Sequence, residues 1–288
     1  MFLIKKYIKK NNKNAFTLIE LSIVILVISV MVVGVATGKS LITKSRLANA
    51  KSLTRQSVVN DMGDDLIAWY ETSLEGSFKP SETKTDGSAI TLWKDSNKNA
   101  VNKNDATAVG SPTLVQNVFY NSIPGVRLTG TQYFTFNGSK FAKNSYTVFV
   151  VEQRSSGKSH NYFIASYNGS NNKIFGYRSN NQITQSHVYN DYNIIIPDYS
   201  TPIPRIHTFL FNNSIGKQYT LNGKTTDKKT QLYSIDSFPD AKIGYLSSLS
   251  SYYVGDLAEI IMFKRSLKTE EVEAIESYLG SKYGIPVS

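Results

Sequence analysis

Two hydrophobic patterns divide the chain. From Leu21 to Gly38, eighteen consecutive residues carry no charge. At about 1.5 Å per residue, a helix of that length spans most of the hydrocarbon core of a bilayer. The pattern predicts a helix from residue 16 to about residue 60. Beyond Gly38 it turns amphipathic, with Leu41, Ile42, Leu47, Ala50, Leu53 and Val58 at near-helical spacing among Lys44, Arg46, Lys51 and Arg55. Such a face packs equally well on the chain's own globular domain or on neighbouring helices, and the pattern leaves both open.

From Asp65 onward the apolar runs shorten. Strands are predicted at 66–70, near 90–93, and at 125–128, 133–136, 146–153, 162–167, 173–178, 206–211, 218–221, 241–244 and 253–263, all rich in Val, Ile, Phe and Tyr. Asn137-Gly138, Asn168-Gly169 and Asn222-Gly223 read as hairpin turns. Residues 71–118 and 179–204 read as mostly loop. A closing helix follows, capped by Thr269, with Glu270 and Glu271 in its first turn and Val272, Ile275 and Leu279 as its apolar stripe; Gly284 and Pro286 end it. Many short strands at this spacing predict an antiparallel sandwich or jelly roll. The chain thus divides into a leader (1–15), a long helix (16–61) and a mainly β domain with a C-terminal helix (62–288).

Charge and composition narrow the function. The net charge is +10, but Lys5, Lys6, Lys9, Lys10 and Lys13 lie in the leader, which has no acid. Basic residues ahead of an apolar span hold the N-terminus in the cytoplasm. The remaining 27 basic and 22 acidic residues leave +5. They are scattered, without the basic and aromatic interleaving that single-strand binding favours, so nucleic acid is disfavoured as a partner. The 288 residues contain no cysteine, so disulfides and thiol chemistry are excluded and the domain depends on its core.

Glu20 is the exception in the apolar helix. A carboxylate there costs roughly 2.5–3.5 kcal/mol on insertion scales and usually has a use. With the basic leader and the sequence Phe16-Thr17-Leu18-Ile19-Glu20, it resembles the class III signal of type IV pilins and related pseudopilins. That resemblance implies cleavage between Ala15 and Phe16 by a prepilin peptidase, followed by N-methylation of Phe16. The family usually has Gly before the cut; Ala15 keeps a small residue there. Glu20 becomes the fifth residue after the cut. In a filament core an unpaired carboxylate is intolerable, and the Phe16 amine of a neighbouring subunit would neutralise it and set the axial register. The implied location is a single-pass inner-membrane protein that then enters a pilus at the cell surface or a periplasmic pseudopilus. Its partners would be the peptidase and other pilin subunits.

A second resemblance lies in the order of Leu-Ile-Ala-Trp-Tyr (66–70), Leu-Trp-Lys-Asp-Ser (92–96), Asp-Ala-Thr-Ala (105–108), Ile-Pro-Gly-Val-Arg-Leu-Thr-Gly (123–130), Leu-Asn-Gly-Lys (221–224) and Gly-Asp-Leu-Ala-Glu-Ile-Ile-Met-Phe (255–263), then the closing helix. It is similar to the laminin-G-like branch of the concanavalin A-like lectin/glucanase fold. The implication is a two-sheet jelly roll used for adhesion, with a carbohydrate or surface protein as ligand. The expected function is a minor or tip pilin-like subunit that displays a lectin-like domain and is not an enzyme. The alternatives are a type II secretion pseudopilin and a membrane-anchored glycan-active enzyme.

Candidate chemistry is sparse. A retaining glycosidase needs two carboxyls about 5–5.5 Å apart. The late acids Asp256 and Glu259 are three residues apart, which puts them on opposite faces of a regular strand. Glu259 reads as a structural acid and Asp256 as a turn residue. His160, His187 and His207 lack metal-ligand spacing, and His207 reads as core packing. The reading requires no cofactor. Calcium is the ion that Asp95, Asn97 and Asp105 would take; the alternative is a solvated Asx-rich loop. In the stretch 179–204, Tyr189, Asn190, Asp191, Tyr192 and Tyr199 are the ligand-contact candidates, with tyrosine rings for sugar faces and Asn and Asp for hydroxyls. Covering a sheet edge is the other use of such a loop.

Overall fold

A computed structural model describes residues 18–141, 145–155, 157–168, 171–187, 190–197, 202–230, 238 and 241–288. The chain forms two compact units, Met1–Lys44 and Ser45–Ser288.

The described part of the first unit is helical. Helix α1 runs Leu18–Arg55 without a break. Its large apolar side chains from Leu18 to Val35 are exposed. The polar side chains in this stretch turn back on the helix: Ser22 Oγ donates to Leu18 O (2.7 Å), Ser29 Oγ to Ile25 O (2.7 Å) and Thr37 Oγ1 to Val33 O (2.8 Å). Satisfied in this way, hydroxyls tolerate an apolar surrounding.

The end of α1 comes earlier than the apolar spacing predicts. Asn60 Nδ2 donates to the carbonyl oxygens of Thr54 (3.0 Å), Arg55 (3.2 Å) and Ser57 (3.2 Å), taking up acceptors that another helical turn would have used. A 3₁₀ segment, Val58–Asp65, follows.

Among the described residues, the strands of the second unit form two large antiparallel sheets and one two-stranded hairpin, 245–246 with 251–252. In the first, the strands follow the order 224–229, 216–221, 205–212, 146–154, 254–263, 123–129, 113–119, 88–89. Strand 254–263 has two partners on one edge: 123–129 along residues 254–257 and 66–71 along residues 259–263. A bulge at Ala258 marks the change. The second sheet runs 190–195, 182–187, 171–179, 161–168, 241–243, 133–136, 106–109, 92–93. The main core lies between the sheets and includes Tyr70, Trp93, Val148, Val150, Phe163, Phe175, Phe209 and Ile260. Another apolar layer covers the opposite face of the first sheet. There Phe149, Val151, Ile261 and Phe263 meet Ile275, Leu279 and Tyr283 of helix α2 (Thr269–Tyr283), together with Ala50 from the end of α1.

Several local expectations change. Stretch 179–204 is not one loop: Gln182–His187 and Asn190–Ile195 pair as a hairpin. Its polar composition hid the alternation Ile183, Gln185, His187 and the facing Asn190, Tyr192, Ile194, all buried on one side. Asn137-Gly138 leads into a 3₁₀ turn, Ser139–Phe141, and not a hairpin. The N-cap of α2 is Lys268 and not Thr269; Glu271 accepts the Lys268 amide (2.8 Å) and both arms of Arg265 (2.7 and 2.8 Å), which fixes the start one residue earlier. Asn168 and Asn171 pair across the next hairpin; Gly169 lies outside the described residues.

Asn222-Gly223 does form the expected two-residue turn, with φ of 49° and 81°. A Cβ on Gly223 would stand 2.3 Å from Val287 Cγ1 and 2.8 Å from Ser288 O. Gly223→Ala is therefore expected to lower unfolding stability by about 1–3 kcal/mol, read as a lower denaturant midpoint at an unchanged m-value.

Candidate functional site

Ala15 and Phe16, the residues of the expected cleavage, lie outside the described residues. Glu20 sits in the first turn of α1 with its side chain exposed, on the surface that carries Leu18, Leu21, Ile23 and Val24.

The oxygen-rich loop is brought together as a structural clasp. Asp95 is buried. Its Oδ1 accepts from the amides of Trp69 (3.0 Å) and Asn97 (3.0 Å), and its Oδ2 from Asn104 (3.1 Å). Asp105 Oδ1 accepts the Asp95 amide (2.8 Å), and Asn97 bridges Gly63 O (2.8 Å) and the Asn99 amide (3.0 Å). The Lys103 ammonium lies against the Asn97 carbonyl. The loop thus supplies its own amide donors and an ammonium to the oxygens that the sequence offered to a cation. Among the described residues no cluster of three or more acidic, His or Cys side chains suits a metal.

The proposed ligand loop is also rearranged. Tyr189 and Tyr199 lie outside the described residues. Asn190 and Tyr192 face the core, with 1% and 3% of their surface exposed, so Tyr192 offers no ring to a sugar. Asp191 remains partly open and pairs with Arg178 Nη1 (2.6 Å).

The late acids differ from expectation in two respects, the first being that Asp256 lies within strand 254–263, opposite Arg127, and not in a turn. The Ala258 bulge adds a residue between them, so Asp256 and Glu259 share the outer face of the first sheet. Neither lacks donors. Asp256 takes a two-pronged contact from Arg127 (2.8 and 3.0 Å). Glu259 Oε1 accepts Trp69 Nε1 (2.7 Å) and Tyr278 OH (2.8 Å), and its Oε2 accepts Lys282 Nζ (2.8 Å) and Tyr283 OH (2.8 Å). Lys282 Nζ also lies 3.2 Å from Glu71 Oε2. Burial opposes the charge on Glu71, but Lys282 and the hydroxyls of Ser73 and Ser77 hold its carboxyl below the usual carboxylate range. Glu259 is a structural acid, as its sequence setting suggests.

A buried polar knot between the sheets was not anticipated. Glu152 Oε1 accepts Tyr177 OH (2.7 Å) and lies 3.0 Å from His207 Nε2 and 3.4 Å from Arg205 Nη1; its Oε2 accepts Tyr253 OH (2.6 Å). His207 Nδ1 meets Tyr219 OH at 2.8 Å. Burial pushes His207 below its ordinary value, so the imidazole is neutral near pH 7. The only sequence signal was the alternation Val148, Val150, Glu152, Arg154, which carries an acid and a base onto the core face. Glu152 and His207 are wholly enclosed, and the knot fastens one sheet to the other.

One cavity of about 470 Å³ opens between strands 205–212, 216–221 and 224–229 and the start of α2. Glu276 lines it and accepts from Thr208. Burial, with Glu273 nearby, pushes the Glu276 carboxyl up to about 7.

Two measurements follow from these carboxylates. Lys282→Met leaves Glu71 and Glu259 buried without their cation and is expected to cost about 3–5 kcal/mol in denaturant unfolding. Glu276 has a folded pKa above its unfolded one, so its contribution is complete below about pH 4 and is lost as the pH rises through about 7. Wild-type stability should therefore decline over that window by on the order of 3 kcal/mol more than that of Glu276→Gln, measured as denaturant midpoints at stepped pH.

Comparison with known proteins divides along the same line as the chain. Residues 10–36 match the family described as the prokaryotic N-terminal methylation motif. No curated protein matches the chain in sequence. Among solved structures, a Trypanosoma rangeli sialidase mutant displaying trans-sialidase activity aligns with TM-score 0.54 and 10% identity, over 76% of this chain and 34% of that one. The botulinum neurotoxin serotype D binding domain aligns with TM-score 0.51 and 14% identity, over 75% and 52%. The receptor binding domain of the botulinum neurotoxin C/D mosaic serotype gives 0.52 and 15%, over 78% and 55%. The chain spans about a third to a half of those structures, and at such identities the likeness is one of fold. The chain carries a prepilin-type methylation motif and an apolar N-terminal helix ahead of an antiparallel β-sandwich.

Proposed function

We propose that the chain is a type IV pilin-like subunit, placed at a minor or tip position, whose sandwich is a displayed binding domain and not an enzyme. The observation that carries this reading is the methylation motif over residues 10–36 running directly into a helix whose apolar side chains are exposed from Leu18 to Val35. A surface of that size and character needs lipid first and other helices later. Before assembly the helix crosses the inner membrane with the N-terminus in the cytoplasm. Prepilin peptidase cuts between Ala15 and Phe16 and methylates Phe16. Glu20 then pairs with the Phe16 amine of a neighbouring subunit. Two features support a binding role for the sandwich over catalysis. The late acids are engaged by structural donors, and the Glu152 knot is enclosed. A bulky domain of 244 residues in the second compact unit is awkward to repeat at every filament position, which favours a tip or minor place.

Mass spectrometry of sheared surface filaments tests this reading. The expected N-terminal peptide begins at a methylated Phe16, and Glu20→Ala is expected to leave the filament fraction while the sandwich keeps its unfolding midpoint. An uncut Met1 terminus confined to inner membrane would overturn the filament reading, and normal incorporation of Glu20→Ala would remove the role given to that carboxylate.

A further inference from the structure

The outer face of the second sheet carries an aromatic platform. Strands 133–136 and 241–243 are neighbours, with Lys242 opposite Thr135 and Ile243 opposite Phe134. Phe134, Phe136 and Ile243 point into the core. By the two-residue alternation of a strand, Tyr133 and Lys242 stand on the other side. A short hairpin, Tyr245–Leu246 with Ser251–Tyr252, lies on that same face. Leu246 anchors it against Tyr162 and Ala165, and Tyr245 and Tyr252 are cross-strand partners. Its base is fixed by Gly244 N donating to Phe163 O (2.8 Å) and Tyr253 N donating to Gly244 O (2.8 Å).

Tyr245 stacks against both Tyr252 and Tyr133, which lie tilted at 49° to each other with centroids 6.3 Å apart. The centroids of Tyr245 and Tyr252 are 4.4 Å apart at 29°, and those of Tyr133 and Tyr245 are 4.7 Å apart at 26°. The Lys242 ammonium lies 5.3 Å from the Tyr245 ring and 5.9 Å from the Tyr133 ring. All four side chains remain half-buried. A cluster of large rings that a fold leaves partly open, held by a rigid backbone, has little ordering entropy left to lose on binding.

We propose that Tyr133, Lys242, Tyr245 and Tyr252 form a binding platform for an acidic polysaccharide. The apolar faces of pyranose rings lie against the tyrosines, sugar hydroxyls meet the phenol groups, and a sugar carboxylate meets Lys242. This deepens the reading of the sandwich as a displayed binding domain and rests on it. The geometry favours a glycan over single-stranded nucleic acid. The rings are already closed against each other, so bases cannot enter between them. Among the described residues one lysine serves this ring stack, where a nucleic-acid groove needs a cation for nearly every phosphate.

The test is affinity electrophoresis of the full chain in detergent, through gels holding polygalacturonate, neutral dextran or an oligothymidylate. Polygalacturonate is expected to retard the protein and the other two are not. Tyr252→Ala should weaken the retardation about tenfold, Lys242→Gln several-fold with loss of its salt dependence, and Tyr252→Phe only slightly. Unfolding midpoints equal to wild type keep these losses from being attributed to misfolding. No retardation by polygalacturonate, equal retardation by dextran, stronger retention by the oligothymidylate, or wild-type behaviour of both Tyr252→Ala and Lys242→Gln each overturn the platform. Incorporation of the same variants into sheared filaments separates the two readings. Normal incorporation with binding lost supports both, whereas intact binding by a chain absent from filaments leaves the platform standing and defeats the filament role.

Discussion

The Lys282 ammonium holds the second unit together at the point where its elements have least in common. It lies between two buried carboxylates, Glu71 on the first strand of the domain and Glu259 on the last, and it comes from the closing helix. Tyr278 and Tyr283 bring two more hydroxyls to Glu259, Tyr278 also reaches Thr54 at the end of α1 (3.3 Å), and Trp69 contributes its indole N–H. Four segments that are distant in sequence therefore share one set of charges. A buried ion pair of this kind adds little net stability compared with an apolar substitute, but it penalises any arrangement in which one partner is missing. Its effect here is to specify which elements close the domain.

Much of this could be read from the sequence, because the signals are local. The apolar stretch, the leader lysines and Glu20 sit within one contiguous segment, and the strand alternations at 133–136 and 146–153 are clear. The stripe Val272, Ile275 and Leu279 of the closing helix was also legible, but nothing in it marked Lys282 as a buried cation. What the sequence concealed depends on tertiary context. The hairpin 182–195 buries Gln185, His187 and Asn190, which read as loop residues by composition. The bulge at Ala258 moved Glu259 to the face of Asp256, a change that no period-two argument foresees. Asp95 accepts the backbone amides of Trp69 and Asn97, partners that leave no mark in a sequence.

The two units solve different solvation problems. From Leu21 to Val35 the described helix bonds the Ser22 and Ser29 hydroxyls to its own backbone and offers hydrocarbon outward, as a lipid-facing segment must. The sandwich does the reverse at two places, where it encloses charged groups among donors and acceptors: the Glu152 knot and the Lys282 joint. Without cysteines, these enclosed polar clusters take the place of cross-links in tying one layer to the next.

The pairing of strand 66–71 with strand 254–263 has a consequence for the timing of biogenesis. Among the described residues, the first strand of the domain finds its ladder partner about as late as the chain allows, some 190 residues downstream. If the chain beyond the apolar helix crosses a membrane while its N-terminus stays in the cytoplasm, Trp69 and Glu71 reach the far side early and wait there without a sheet until the last strand and the closing helix have arrived. The domain therefore closes in one late step, after release of the whole chain, and until then an open strand edge is exposed that favours chaperone capture and punishes truncation.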